Sequence, residues 1–243
     1  MLSIFQKEIN TFFSSLIGYI TIGTFLAILG LMMWVFPDTS LLAYNYATLD
    51  QLFDLGPLIF MFLIPAITMR TFSEEQQTGT IELLATKPLT DWQIVLGKFF
   101  ASWLLVGFAI LPTLLYYFTL HQLGDPVGNL DSGAIAGSYI GFLLLGGTFV
   151  SIGIFSSSLT NNQIVAFILA TFVCFLFYYG FYFFSKLPIF VGKYDNAVQN
   201  IGIDYHYTSI SRGAIDSRDV IYFSSLILSF LVLTVTSIGR RKW

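Results

Sequence analysis

The stretch SGAIAGSYIGFLLLGGTFVSIGIFSSSLTNNQIVAFILATFVCFLFYYGFYFFS, residues 132–185, runs for 54 residues without a formal charge. About 20 apolar residues in a helix cross the ~30 Å hydrocarbon core of a bilayer, so this run is too long for one crossing. The polar string Ser156-Ser157-Ser158-Leu159-Thr160-Asn161-Asn162-Gln163 divides it into two. Charged groups are costly at membrane depth, so the gaps between charges map the remaining crossings in the same way.

Working outward, residues 9–37, 55–69, 99–124 and 220–239 are also free of formal charge. The 55–69 run is short; Leu52 and Phe53 extend it, and Pro57 and Pro65 predict a kink. The sequence therefore predicts an all-α polytopic membrane protein, one transmembrane domain over 1–243, with spans near 18–36, 52–70, 98–120, 133–155, 164–185 and 220–239. Composition agrees: 243 residues are 56% hydrophobic and 10% charged, against about 25% charged in a soluble domain. That excludes a soluble globule and a disordered tail. A net charge of -3 argues against nucleic acid as a partner, and one cysteine with two histidines leaves no disulfide and too few ligands for a dedicated zinc site.

Before the first span, Phe5, Ile9, Phe12, Phe13 and Leu16 recur at helical spacing with polar residues on other faces, which predicts an interfacial helix over 2–16. No short apolar region with a small-residue cleavage site marks a signal peptide. Orientation follows lysine and arginine. With the N-terminus inside, Lys7, Arg70, Lys87, Lys98, Arg240, Arg241 and Lys242 are cytoplasmic, and Lys186, Lys193, Arg212 and Arg218 lie outside. Both termini are then predicted in the cytoplasm.

The central portions of the predicted spans carry no Asp, Glu, Lys, Arg or His, whereas proton relays and ion-coupled carriers place such groups there. Gly97-Lys98 is followed by Phe99, so the phosphate-loop pattern fails, and H-E-x-x-H and G-x-S-x-G are absent. The chain is predicted to be non-catalytic and to hold no cofactor; energy for uphill movement has to come from a partner. Between Phe172 and Phe184, nine of thirteen residues are aromatic. Two readings fit: lipid contact with an aromatic belt, or a pathway or subunit interface that includes Phe172, Phe175, Tyr179 and Tyr182. Gly141, Gly146, Gly147 and Gly153 read as close helix packing, and Cys174 as an inert buried thiol.

The connection from Arg70 to Lys98 is far longer than a helix–helix turn requires and mixes Glu74, Glu75, Glu82 and Asp91 with apolar Ile81, Leu83 and Leu84, a Gly79 break and a Pro88 stop. Glu74-Glu75, then Gly79-Thr80-Ile81-Glu82-Leu83-Leu84-Ala85-Thr86-Lys87-Pro88-Leu89, then Gly97-Lys98, resembles the first inner loop of ABC-2 type permeases. The N-terminal Lys7-Glu8 and the segment from His206-Tyr207 to Asp216 share the resemblance, which within the family is greatest to the permease of gliding-motility-associated ABC transporters. The resemblance implies a bacterial inner-membrane subunit that works with a second permease, as homo- or heterodimer, and with cytoplasmic ABC ATPases that bind ATP and Mg. It further implies that Glu74, Glu75, Gly79, Thr80, Glu82, Leu83, Leu84 and Pro88 form or support a coupling helix that docks on the ATPase. An envelope or motility scaffold that moves no solute, and an exporter of a drug, ion or copper-maturation cargo, are the alternatives.

Overall fold

The computed structural model describes residues 1–41, 48–80, 89–190, 192 and 194–240. Among them every regular element is helical. Helix α1 (Leu2–Ser14) turns into α2 (Leu16–Trp34) through a 70° bend. At the corner the Ser15 hydroxyl accepts from the Gly18 N–H at 3.2 Å, and a Cβ on Gly18 would lie 2.6 Å from the Phe12 carbonyl oxygen. Five further stretches are long and apolar enough to cross a membrane: Asp50–Gln77, Asp91–Leu123, Ser132–Leu159, Gln163–Ser185 and Ser217–Gly239. The bent α1–α2 pair makes a sixth when counted as one span, so the expected helical architecture of six crossings is met on that count.

Local chemistry sets where these helices break. The second stretch is α3 (Asp50–Thr68), which keeps Pro57 and Pro65 inside it, followed by α4 (Arg70–Gln77) after a one-residue interruption at Met69. The third is α5 (Asp91–Ile110), interrupted by a 3₁₀ turn at Leu111–Thr113 that contains Pro112, then α6 (Leu114–Leu123). Proline removes a backbone donor and crowds the preceding turn, which accounts for a break there. Helix α7 (Ser132–Leu159) runs through Ser156, Ser157 and Ser158. The divider is the next residues, where the Asn162 side chain caps α8 (Gln163–Phe175) by accepting from the Ile164 N–H at 2.9 Å. A five-residue π-helical turn, Leu176–Gly180, leads into α9 (Phe181–Ser185), then α10 (Asp195–Gln199), α11 (Ile203–Ile210) and α12 (Ser217–Gly239).

Helix α7 is the axis of the bundle. Its most apolar window is 78% buried within the chain, against 28% for the windows in α8–α9 and in α12, so α7 is enclosed and the other two face outward. It packs against α3, α5, α8 and α12. Its glycines make this possible: a Cβ on Gly141 would run into the Ile210 side chain, and one on Gly153 into the Thr68 hydroxyl. Phe60 of α3 stacks on Phe142 of α7 with centroids 4.0 Å apart. Buried Ser157 fastens the lower part of α7 to the α3–α4 break: its Oγ accepts from the N–H groups of Phe72 and Ser73 at 3.0 Å and donates to the Met69 carbonyl at 2.9 Å. A backbone interruption inside apolar surroundings is thereby satisfied.

Candidate functional site

Helix α4 sets Glu75 at the side of α5, about two turns past that helix's start, where Lys98 sits. Lys98 is 1% exposed. Its ammonium donates to Glu8 Oε1 and to the Thr71 carbonyl oxygen, each at 2.7 Å, and lies 3.0 Å from Glu75 Oε2, an ion-pair contact in which that buried oxygen accepts no hydrogen bond. The Phe72 ring closes the remaining side, 4.9 Å from the nitrogen to the centroid. The other Glu75 oxygen, Oε1, accepts from Lys7 Nζ at 2.8 Å. Burial lowers the Lys7 pKa, but the hydrogen bond and field of Glu75, with Glu8 and Glu74 behind it, outweigh that and raise it.

Two cations and two carboxylates thus cancel, and they come from three elements: α1, α4 and α5. Gly97 makes room for the assembly, since a Cβ there would stand 3.2 Å from both the Ile4 side chain and the Met1 carbonyl. The cluster sits at the foot of the connection between α4 and α5. On the α4 side, Arg70 grips Glu74 with two hydrogen bonds, 2.8 and 3.1 Å, and the chain then turns at Gly79, whose φ of +69° is a left-handed conformation. On the α5 side a capping box starts the helix: Thr90 Oγ1 accepts from the Gln93 N–H, and Gln93 Oε1 from the Thr90 N–H.

The predicted site residues are placed unequally. Glu75 is turned into the ionic cluster, Glu74 is held by Arg70, and Gly79 and Thr80 occupy an exposed turn. Glu82, Leu83, Leu84 and Pro88 fall outside the described residues. Phe172, Phe175 and Tyr182 are exposed on α8–α9 and face away from the chain's own core, Tyr179 is half-buried and packs against it, and none of the four meets the cluster. Nothing in the linear sequence assigns Lys7, Glu8 and Lys98 to a common site. The available signal was a lysine set within a helix otherwise long and apolar enough to cross a membrane.

At the opposite end, a second ionisable set joins α11 to α12. His206 Nδ1 is 2.7 Å from Asp219 Oδ1, its Nε2 is 3.0 Å from the Asn200 carbonyl oxygen, and its ring stacks on Tyr222 at 3.9 Å. Tyr207 of the same helix donates to the Phe53 carbonyl at 2.9 Å, which seats α11 on the top of α3. Burial raises the Asp204 pKa, partly offset by the Tyr178 hydroxyl. Among the described residues no three His, Cys, Asp or Glu side chains are grouped as metal ligands would be.

A family model described as ABC-2 family transporter protein matches residues 3–237 of the chain. The chain is 24% identical over 170 residues to the probable multidrug ABC transporter permease YbhR of Escherichia coli K12, and equally to that of Escherichia coli O157:H7. Each alignment covers 70% of this chain, and the chain spans 40% of the length of these curated relatives. The chain belongs to the ABC-2 family of transporter proteins.

Proposed function

We propose that this ABC-2 family chain is the non-catalytic membrane subunit of an ATP-driven transporter, moved by a separate cytoplasmic ATPase that binds ATP and Mg. The observation that carries the reading is the Lys98 cluster. It fixes both flanks of the α4–α5 connection, together with α1, into one unit. A partner that grips residues 78–90 then moves three helices at once, and through Ser157 the foot of α7. This is rigid-body transmission, in which a small displacement at one surface is carried by packed helices and not absorbed by a slack loop.

In this scheme Glu82, Leu83 and Leu84 meet the ATPase, with Gly79 and Thr80 shaping the approach and Pro88 ending the element. Glu75 acts behind that surface through Lys98. The connection lies on the cytoplasmic side, with both termini, as the lysine and arginine distribution indicates. The exposed aromatic face of α8–α9 is offered to lipid or to a second permease subunit. The particular system is assigned from the loop resemblance as a bacterial gliding-motility-associated complex. An exporter of small molecules is the second reading, favoured by the similarity to permeases named as probable multidrug transporters.

The test is affinity purification of the full chain from its native membrane in mild detergent, with mass spectrometry and an ATPase assay. Co-purification of an ABC ATPase, and loss of its stimulated turnover in Glu82→Lys or Leu83→Asp with membrane insertion unchanged, is the expected result. Nucleotide turnover by the isolated subunit, or labelling of the 78–90 connection from the periplasmic side, would overturn the reading.

A further inference from the structure

Helices α11 and α12 meet at His206, whose ring has an acceptor at each nitrogen. Nε2 lies 3.0 Å from the Asn200 carbonyl oxygen, which can only accept, so a hydrogen bond there requires a hydrogen on Nε2. Nδ1 lies 2.7 Å from Asp219 Oδ1. A neutral imidazole has one N–H, so with Nε2 protonated its Nδ1 turns a lone pair on a carboxylate, which repels it. The other tautomer satisfies Asp219 and turns a lone pair on the Asn200 carbonyl instead. One further proton removes the conflict. It sits on Nδ1 in an imidazolium–carboxylate pair, or on Oδ1 and is donated to Nδ1; in either form both contacts are hydrogen bonds.

The side chains of the pair are 13% and 9% exposed, and both line an open cavity of about 730 Å³, so a proton reaches them from solvent. Tyr222 of α12 stacks on the imidazole at 3.9 Å and Tyr205 meets it edge-on at 5.3 Å; an aromatic face favours the cationic ring. Asp204 at the head of α11, Arg212 beyond its end, and Asp216 and Arg218 at the head of α12 share the cavity, two of each sign. The π-helical turn brings Tyr178, hydrogen-bonded to Asp204, and α9 brings Tyr182. Asp54 of α3 is within the field of Arg212, and Asp195 stands at the other end of α10 from Asn200. Helix α7 meets α11 through Gly141 and its C-cap through Ser138, neither of which titrates. Among the described residues, Asp219 is the acid bonded to the imidazole.

We propose that His206 and Asp219 form a proton-binding site that latches the α10–α11 corner to α12, closed while the shared proton is bound and open when it is lost. The order of release has a physical reason. An N–H bonded to a carboxylate is stronger than one bonded to a carbonyl, so the deprotonated ring keeps Asp219 and lets go of Asn200. The corner then retains the Tyr222 hydroxyl on the Ile201 carbonyl, 2.6 Å, and loses the neighbouring contact. The closed form holds one proton more than the open form, so closure is favoured at low pH and weakens as pH rises. Binding uses residues of this chain alone and does not depend on an ATPase.

The experiment is hydrogen–deuterium exchange of the full chain in detergent from about pH 5 to pH 9, with each rate divided by that of the same amide in an unstructured peptide. Amides of residues 199–205 should exchange about tenfold faster, on that scale, at the upper end than at the lower, the factor for one hydrogen bond of ~1.4 kcal/mol. Asp219→Asn is the decisive variant. Its side-chain amide donates to Nδ1 of a neutral imidazole whose Nε2–H still reaches the Asn200 carbonyl, so protection should stay high across the whole range. His206→Gln cannot take up the proton and should give a flat profile. Asp204 and His121 are unchanged in both variants, so their titration cannot account for a difference from wild type. A flat wild-type profile, a rise that persists in either variant, or an Asp219→Asn profile flat at the fast level overturns the proposal.

Discussion

The two ends of the bundle use a similar stock of charges in opposite ways. Around Lys98, two basic and two acidic side chains from α1, α4 and α5 close on one another until the ammonium, with two hydrogen bonds and an ion-pair contact, has almost no exposure. Around His206, the pairing is local to α10, α11 and α12, beside an open cavity lined by both arginines and aspartates. A closed, neutral cluster gives up solvation and gains geometric definition, because a buried charge tolerates few positions. An open set keeps its solvation and leaves capacity for a ligand. The first arrangement suits a joint; the second stays open to solvent.

Substitutions that remove one charge from each end should separate these two designs. The largest effect belongs to Lys98→Met, which leaves Glu8 and Glu75 facing each other in a buried site. A loss of about 3–5 kcal/mol is expected, read as a fall in the unfolding midpoint in detergent. Lys98→Met/Glu8→Gln/Glu75→Gln should recover much of that loss, and no recovery would show that the site is held by packing and not by charge balance. His206→Leu leaves the buried Asp219 carboxylate unpaired and frees the Asn200 carbonyl, so about 1–3 kcal/mol is expected, concentrated in faster hydrogen exchange of α10 and α11. Equal loss of protection at both ends would break the comparison.

Gly79→Ala probes the exposed turn that follows α4 at the Lys98 end. Nothing lies within 4 Å of the position a Cβ would take, so only the left-handed backbone opposes it, at about 1 kcal/mol. Lys7→Gln should cost under about 1 kcal/mol, because this partner of Glu75 has a side chain 54% exposed and Lys98 remains in place. The smallest shift is expected from Asp204→Asn, and it should be a gain. The folded-state pKa of Asp204 lies above its ordinary value of 3.8, so the folded protein holds this proton more tightly than the unfolded chain. Stability from this group is present below that value and falls as pH rises through the raised one. Unfolding midpoints of wild type and Asp204→Asn should therefore diverge as pH is raised from about 4, the variant lying above.

Much of this architecture is legible in the linear chain. The uncharged runs locate the helices, and their apolar character is additive along a segment, so it needs no knowledge of neighbours. Helix ends were less legible. Ser156, Ser157 and Ser158 read as a divider, yet α7 continues through them, with Ser157 bonded to backbone groups of Met69 and α4 that are distant in sequence. Glu75 read as part of a docking surface from its place beside Glu74. The packing of α4 beside α5 and α1 sets Glu75 against Lys98, while Glu74 pairs with Arg70 one turn back in its own helix.

The sequence by itself determined that the chain is helical, that its helices are long and apolar enough to cross a bilayer, and that it lacks the motifs of a nucleotide-binding or hydrolytic enzyme. Tertiary structure alone decided which charges meet. Glu8 and Lys98 are 90 residues apart, Lys7 and Glu75 68 apart, and His206 and Asp219 lie on separate helices. The reason is physical: burial of apolar surface is nearly additive residue by residue, whereas an ion pair exists only within a few ångströms, at distances set by how whole helices pack.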